Sequence, residues 1–575
     1  MARKKKQIKV IPLGGVGEIG KNITVVEYND EIIIIDCGMS FPENYMLGID
    51  AVIPDFTYLE ENREKIKCLL LTHGHDDHIG AIPYFLKKFP EVPVYGTGLT
   101  LGLVSNKISQ YEDITSANLV RFNAGDTLEF GCFKVKAIKV NHSVADSVAF
   151  AVHTPLGVIV FTGDFKVDFT PVDDEIIDLA EFAALGRSGV LALFMESTNI
   201  ERDGYTMSEK TIGKKFENIF DHAEGRIIVT TFASNIHRIQ QIIDASIKNK
   251  RKVCIMGFSM LNVAKVAREL GYLHCPDDCL IEIDRVNKQP ANEVTIITTG
   301  SQGEPMSALS RMATSDYKNF NIIPGDTVVI SATPVPGNEK MVSGVVNKLF
   351  EKGATVIYSA LEDIHVSGHA CREELKLMYS LVKPKFFVPV HGEQRHLVLN
   401  ARMVQELGMN PNHIVLPSIG KTILIDSSGI SLGDEVHAGM TLVDGLGIGD
   451  VGSVVLKDRQ VLSEDGLIIT IVTLDDNKHV IAGPEVISRG FVYVKESEEL
   501  IQKIKDIVLN SVEMSADKKK ADIMQMKNAI RDRIKSYIYM KTQRRPMIIP
   551  VIMEGKYDTE LSDFSVEDFL KGNKK

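Results

Sequence analysis

The chain has 575 residues, of which 44% are apolar and 25% charged, with a net charge of −11, seven cysteines and no tryptophan. That length favours three or more domains with several buried cores, and the acidic balance excludes nucleic-acid binding through the whole surface while leaving room for a local basic channel. No apolar run approaches the roughly 18–20 residues of a membrane span, and the scattered cysteines and the basic start Met1 to Lys6, which leads into a strand, point to a cytoplasmic protein with no membrane partner.

In chain order, residues 8 to 37 read as a strand (Ile8 to Leu13), a glycine turn and two further strands (Ile23 to Tyr28 and Glu31 to Asp36). Gly15-Val16-Gly17-Glu18-Ile19-Gly20 has the form of a dinucleotide fingerprint. That motif requires a helix opening at the glycines. Here Asn22-Ile23-Thr24-Val25-Val26-Glu27 follows instead, rich in β-branched residues, and the Asn29-Asp30 turn leads into the next apolar run, so the nucleotide reading is rejected.

Cys68-Leu69-Leu70-Leu71 is too short for a helix and reads as a buried strand. Directly after it, His73-Gly74-His75-Asp76-Asp77-His78 packs three histidines and two aspartates into six positions. Imidazole and carboxylate suit a borderline cation such as zinc, and a strand end lets closely spaced side chains converge. His73 and His75 share a face, Asp77 and His78 follow as the chain turns, and two ligand pairs in one turn suggest two metals. This pattern resembles the metallo-β-lactamase superfamily, whose fold is an αββα sandwich with its ligands on strand-end loops along one edge.

The resemblance implies further ligands downstream, in a fixed order. His142 follows the alternating strand Phe133 to Val140, Asp164 follows Gly157 to Thr162, and His391 closes Lys385 to Val390. By resemblance, His73, His75, His142 and Asp164 hold one metal. Asp77, His78, Asp164 and His391 hold the other, with Asp164 bridging. Two such metals would activate a shared water and clamp a phosphoryl displacement, with Asp77 counted in the catalytic set. Asp36 resembles the superfamily's early aspartate, placed behind the metal turn to orient its ligands.

About two hundred residues separate the Asp164 and His391 motifs. Helix-like segments (Ser208 to Phe220, Ile236 to Lys248, Met260 to Leu270) alternate there with short apolar strands (Arg226 to Thr231, Lys252 to Met256, Glu293 to Thr298, Thr327 to Ser331), which reads as an α/β domain with a largely parallel sheet. Within it, His274-Cys275-Pro276-Asp277-Asp278-Cys279 lacks the second cysteine pair of a structural zinc site. Such an insert resembles the β-CASP nucleases, whose further marks are met by the acid Glu196 and by the histidine of His365-Val366-Ser367-Gly368-His369-Ala370.

Leu13 to Asn22, Phe232-Ala233-Ser234-Asn235-Ile236-His237-Arg238, Thr299-Gly300-Ser301-Gln302-Gly303-Glu304-Pro305 and Arg544 to Pro550 together resemble the bacterial ribonuclease J family over about residues 8 to 553. The resemblance implies a pocket for the 5′-monophosphate of RNA built from Ser234, Asn235, His237 and Arg238 with Gly300, Ser301, Gln302 and Gly303, although the glycine loop taken alone also reads as a plain βα turn. Ser367, Gly368, His369 and Ala370 would hold the scissile phosphate. His369, oriented by Glu196, would protonate the leaving oxygen, and His365 is either part of this set or only a strand residue.

The expected domains are 1–205 (metallo-β-lactamase, first part), 206–355 (β-CASP), 356–430 (metallo-β-lactamase, second part), 431–450 (a glycine- and aspartate-rich linker), 451–555 (a small α/β unit) and 556–575 (a disordered tail). The Asp517-Lys518-Lys519-Lys520 stretch reads as a solvated turn. Family resemblance implies 5′-to-3′ exonuclease and endonuclease action in mRNA decay and rRNA maturation, with two zinc ions, or manganese or magnesium. It also implies a homodimer or homotetramer that associates with a paralogue and other RNA-decay proteins. Two rival readings stand beside it: a small-molecule hydrolase of the same fold, and a non-catalytic RNA-binding subunit of a decay complex.

Overall fold

A computed structural model describes residues 6–555 except 303, 305–306, 319, 335–337, 360–363, 493–497 and 517–521. Gly303, the turn at Asp517 to Lys520 and the tail 556–575 therefore lie outside the described residues. The chain divides into two compact units, Met1–Phe41 with Ala51–Thr441, and Pro42–Asp50 with Leu442–Lys575.

The first unit is built on two sheets packed face to face. One has eight strands in the order Gly429–Glu435, Lys421–Asp426, Ile8–Gly14, Ile23–Tyr28, Glu31–Ile35, Ile66–Leu70, Val94–Gly96, Leu119–Arg121. The other has six, in the order Phe386–Val390, Val190–Glu196, Gly157–Phe161, Val148–Thr154, Phe133–Lys139, Thr127–Phe130. Ile33, Ile35, Leu70 and Ile423 of the first sheet share one core with Val135, Phe150, Phe161 and Phe194 of the second. The second sheet's far face is covered by helices Leu179–Ser188, Arg372–Val382 and Gln394–Glu406 through Phe182, Leu185, Leu375, Met378 and Met403. A strand covered on both faces needs apolar residues at every position, and all seven residues of Val190–Glu196 are buried.

Ile66–Leu70, Val190–Glu196 and Phe386–Val390 each pair in parallel with a neighbour, so their carboxyl ends open onto the sheet edge that the metal turn occupies. The glycine-rich stretch opens no helix. Val16–Gly17 instead pairs with Gly392–Glu393, and the chain resumes as the strand Ile23–Tyr28.

The insert is a five-stranded, wholly parallel sheet in the order Lys252–Met256, Val294–Thr298, Ile227–Thr230, Thr327–Ile330, Thr355–Ile357. Its last strand crosses the expected boundary at 355. Amphipathic helices Ile236–Lys248, Phe258–Glu269 and Glu339–Glu351 accompany it, the last burying Val342, Val345, Val346 and Leu349 at helical spacing.

The expected linker is not one. Gly429–Glu435 is an edge strand against Lys421–Asp426, closed by a turn in which Asp426 accepts the N–H of Ser428 at 2.7 Å. Val443 pairs with Ile448 across a second turn at Gly445. Glycines and acids suit an exposed edge, where they discourage further pairing, and that composition resembles a linker's. Pro42–Asp50, expected in the first part, belongs to the second unit: Asp50 N–H donates to Val443 O at 2.9 Å, and Arg459 Nη1 donates to Leu47 O at 2.9 Å.

The second unit holds a three-stranded sheet, Val480–Arg489, Leu467–Leu474 and Met547–Glu554, with helices Glu498–Ala516 and Ile523–Thr542. Met526, Ile530, Ile534 and Ile538, spaced four apart, form the stripe that meets the alternately buried residues of Leu467–Leu474. Among the described residues no helix is long and apolar enough to cross a membrane.

Candidate active site

The metal turn is held from behind. Asp36, at φ 60°, accepts the Thr72 N–H at 2.8 Å and the Thr72 hydroxyl at 2.9 Å. Backbone bonds from Cys37 N to His78 O and from Met39 N to Asp76 O fasten the short helix Asp76–Ile79 to the 36–39 segment, and one from Asn22 N to Asp77 O ties it to the end of the glycine-rich stretch. Gly38 permits this approach, because a Cβ there would lie 1.6 Å from Asp77 O.

All seven expected ligands converge. His75 Nδ1 lies 3.1 Å from His73 Nε2 and 3.0 Å from His142 Nε2. Asp164 Oδ2 lies 3.6 Å from His73 Nε2 and 3.8 Å from His142 Nε2. The same oxygen is 3.2 Å from His78 Nε2 and 3.3 Å from His391 Nε2, while Asp77 Oδ2 is 3.5 Å from His78 Nε2 and 3.8 Å from His391 Nε2. Two four-residue donor sets result, each with its ligand atoms within 4.8 Å of one another and with Asp164 common to both.

The donors fit a cation. Asp164 Oδ2 is buried and accepts no hydrogen bond, which is costly unless a positive centre meets it. The rear nitrogens are engaged: His73 Nδ1 with Thr72 Oγ1 at 3.0 Å, His78 Nδ1 with Asp36 Oδ2 at 2.8 Å, His142 Nδ1 with Gly368 O at 2.8 Å and His391 Nδ1 with Asn22 Oδ1 at 3.0 Å. Engaging Nδ1 in this way leaves Nε2 aimed into the cage, which is how ligand imidazoles are oriented. Burial, reinforced by neighbouring imidazoles, holds His73 and His142 well below the usual histidine pKa, so both are neutral donors. Burial opposes charge on His78 too, yet Asp164, Asp77 and Asp36 hold its pKa well above the usual value, so the site attracts positive charge where a divalent ion would sit.

A third cluster adjoins the cage. His369 Nδ1 is 2.7 Å from Glu196 Oε2 and 3.8 Å from Asp164 Oδ2, and Glu196 Oε1 accepts the Phe165 N–H at 2.8 Å. Burial pulls the His369 pKa down, but Glu196 and Asp164 outweigh it and hold it at about 9. Ser367 Oγ accepts from Asn199 Nδ2 at 2.8 Å and from His369 N–H at 3.2 Å. Ala370 is fully buried, and Gly368 is needed because a Cβ would lie 2.6 Å from His142 Cε1.

The residues expected at the phosphate pocket are brought together only in part. Ser234 and the loop Gly300 to Gln302 follow the adjacent strands Ile227–Thr230 and Val294–Thr298, whose last residues are in register. Gly300, at φ 107°, leaves no room for a Cβ beside Ser307 and Leu309, and Ser301 is buried. Arg238, however, is fully buried, donating to Glu209 and to Ser331 O at 3.0 Å, so it is tied into the core of the insert, with Nη2 left unpartnered. Asn235 caps the following helix by accepting the Arg238 N–H at 3.0 Å. His237 Nε2 faces Asp173 at 3.6 Å, and Gln302 Nε2 donates to Thr333 O at 3.0 Å. His365 packs edge-on against Phe232, with Nδ1 buried and unpartnered, and burial followed by Arg238 pushes its pKa to about 4, so it is no cationic phosphate binder.

Sequence reasoning passed over Asn22, Asn199, Thr206 and Glu374. Asn22 ends the glycine-rich motif, and the absence of a Cβ at Gly15 makes room for its Oδ1, which meets His391. That motif was the signal. Asn199, Thr206 and Glu374 carry residue types common in any loop or helix start.

Family models match residues 16–186 (metallo-beta-lactamase superfamily), 224–349 (ribonuclease J, beta-CASP domain), 355–417 (Zn-dependent metallo-hydrolase RNA specificity domain) and 454–555 (ribonuclease J C-terminal domain). Ribonuclease J2 of Bacillus subtilis is 45% identical over 96% of this chain and 99% of its own. The chain belongs to the ribonuclease J family. Ribonuclease J 1 of Streptococcus pyogenes is 41% identical over 96% of this chain and 98% of its own, and ribonuclease J 2 of Staphylococcus aureus is 41% identical over 96% and 99%. A crystal structure of a protein of unknown function from Enterococcus faecalis overlays all of its chain on 73% of this one with a TM-score of 0.53 at 18% identity, which shows a shared fold. As a ribonuclease J, the chain is a metal-dependent ribonuclease that binds RNA and uses divalent metal.

Proposed function

We propose that this ribonuclease J hydrolyses phosphodiester bonds with two zinc ions per chain, acting 5′ to 3′ from a monophosphorylated end and also internally, in mRNA decay and rRNA maturation. Manganese or magnesium is the alternative metal. The observation that supports this reading most is the sharing of Asp164 Oδ2 by two histidine and carboxylate sets, with the His369–Glu196 pair beside them.

His73, His75, His142 and Asp164 would hold one ion, and Asp77, His78, Asp164 and His391 the other. When bound, such a pair supplies Lewis acidity at the phosphoryl oxygens and acidifies water. His369 carries a proton at neutral pH and donates it to the departing 3′ oxygen, while Glu196 fixes the ring through Nδ1 and stabilises its charge. Ser367 and Gly368 line the scissile phosphate. Ser234 with Gly300 and Ser301 supplies the hydroxyl and backbone donors for a terminal phosphate. The chain is assigned to the cytoplasm, as a homodimer or homotetramer joined by a paralogue and other RNA-decay proteins.

The test is a product ladder from one RNA sequence bearing a 5′-monophosphate or a 5′-triphosphate, read beside the metal content of the same protein. Mononucleotides released from the 5′ end of the monophosphorylated RNA, with slower attack on the triphosphate, are expected. Equal ladders from both would remove the terminal-phosphate pocket, and one metal per active chain would remove the two-ion mechanism.

A further inference from the structure

Glu374 is a buried carboxyl group that the chemistry above does not use. It lies in the first turn of the helix Arg372–Val382, with none of its surface exposed. As the third helical residue it accepts the Cys371 N–H at 2.7 Å, the ordinary back-bond of a capping box. Two more bonds exceed what a cap requires. Oε1 accepts the Val167 N–H at 2.7 Å, and Oε2 accepts the Thr206 N–H at 2.7 Å.

Two of the three donors belong to segments that carry a site residue, and the third touches such a segment. Val167 stands three positions after Asp164, and Cys371 two after His369. Thr206 reaches the His369 turn directly, its hydroxyl donating to His369 O at 2.8 Å, where Asn199 Nδ2 also donates at 3.1 Å. One side chain therefore ties the turn that follows the shared metal ligand to the turn that presents the imidazole.

We propose that Glu374, relayed by Thr206, is a positioning residue for His369, holding the turn so that the imidazole faces the departing 3′ oxygen. This rests on the reading that His369 supplies that proton. In the step, a water oxygen bonds to phosphorus and gives up a proton to solvent, the P–O3′ bond breaks, and the His369 proton passes to O3′ to leave a hydroxyl, after which the ring takes a proton back from solvent. A turn displaced by about an ångström misaligns the donor, which costs on the order of tenfold to hundredfold in rate.

Glu374→Gln keeps the size of the side chain but sets an amide N–H2 against a backbone N–H. Thr206→Val keeps the backbone bond to Glu374 and removes the hydroxyl that meets His369 O and, at 3.3 Å, Cys371 Sγ. Both are assayed, with wild type and His369→Ala, on 5′-monophosphorylated RNA carrying either the natural oxygen or a bridging sulfur at the scissile 3′ position, since a thiolate departs without needing a proton. Both variants are expected to keep the wild-type metal content and KM, to lose tenfold to hundredfold in kcat on the oxygen substrate, and to recover on the sulfur substrate. Equal loss on both substrates, or no loss on oxygen, overturns the proposal. If Glu374→Gln does not fold, Thr206→Val decides by the same criterion. Should His369→Ala fail to recover on sulfur, the proton-donor reading itself falls; should His369→Ala recover while Thr206→Val and Glu374→Gln do not, only the positioning role falls.

Discussion

Two histidines on the same cavity wall have opposite duties. His75 sits between His73 and His142 with its Nδ1 inside the donor set, so His75→Ala should lose bound metal and cleavage together. His369 is tied to Glu196 and belongs to neither four-residue set. His369→Ala should keep its metal and lose about a hundredfold to ten-thousandfold in rate, the usual worth of a placed proton donor. Elemental analysis beside single-turnover cleavage checks both, and metal loss in the His369 variant would sink the distinction. His365 offers a separate handle on pH. Burial, followed by Arg238, holds its pKa at about 4 against an ordinary 6.5, so between those values the unfolded chain binds the extra proton. Stability is therefore lost as pH falls from 6.5 towards 4, by about 3 kcal/mol at the low-pH limit. His365→Phe should flatten that part of the urea-midpoint curve, and parallel curves for variant and wild type would count against it.

At the scale of elements, the site is made by strand ends that cannot move separately. Ile66–Leu70, Gly157–Phe161, Val190–Glu196 and Phe386–Val390 stop at one edge of a two-sheet core and deliver the metal turn, Asp164, Glu196 and His391 there. The turns between them depend on close backbone contact. A methyl group at Gly38 would overlap Asp77 O and C, which belong to backbone and cannot swing aside. Gly38→Ala should displace the Asp76–Ile79 turn, cost about 3 kcal/mol and weaken metal binding. Metal per chain and the urea midpoint, measured together, test this; a variant with full metal content would refute it.

At the scale of the molecule, the cage joins residues from His73 to His391, all within the first unit. An ion bound there ties segments over three hundred positions apart and stabilises that unit by mass action, by about 2.7 kcal/mol at a hundredfold excess over its Kd. Chelation should lower the unit's melting transition by several degrees, and added zinc should restore it. Calorimetry in which the transition does not move on chelation would show that the donors bind no ion in the folded chain.

Much of this was legible along the chain, because strands covered on both faces must be continuously apolar and because metal donors must follow them closely. The run ending at Leu71, the His73 to His78 cluster and the helix Ile236–Lys248 carry their own evidence. The edge strand Gly429–Glu435 did not, since an exposed edge needs the polar, glycine-rich composition of a loop. Nor did the duty of Arg238, whose charge reads as a phosphate ligand until Glu209 and Ser331 are seen closing around it. The sequence alone determined which groups can hold metal and move a proton, because those are properties of side-chain chemistry and local spacing. Only the tertiary structure decided which of them share an oxygen, which nitrogen of each ring faces the cage, and that Glu374 gathers the distant amides of Val167 and Thr206, because these depend on contacts between segments that the chain order leaves far apart.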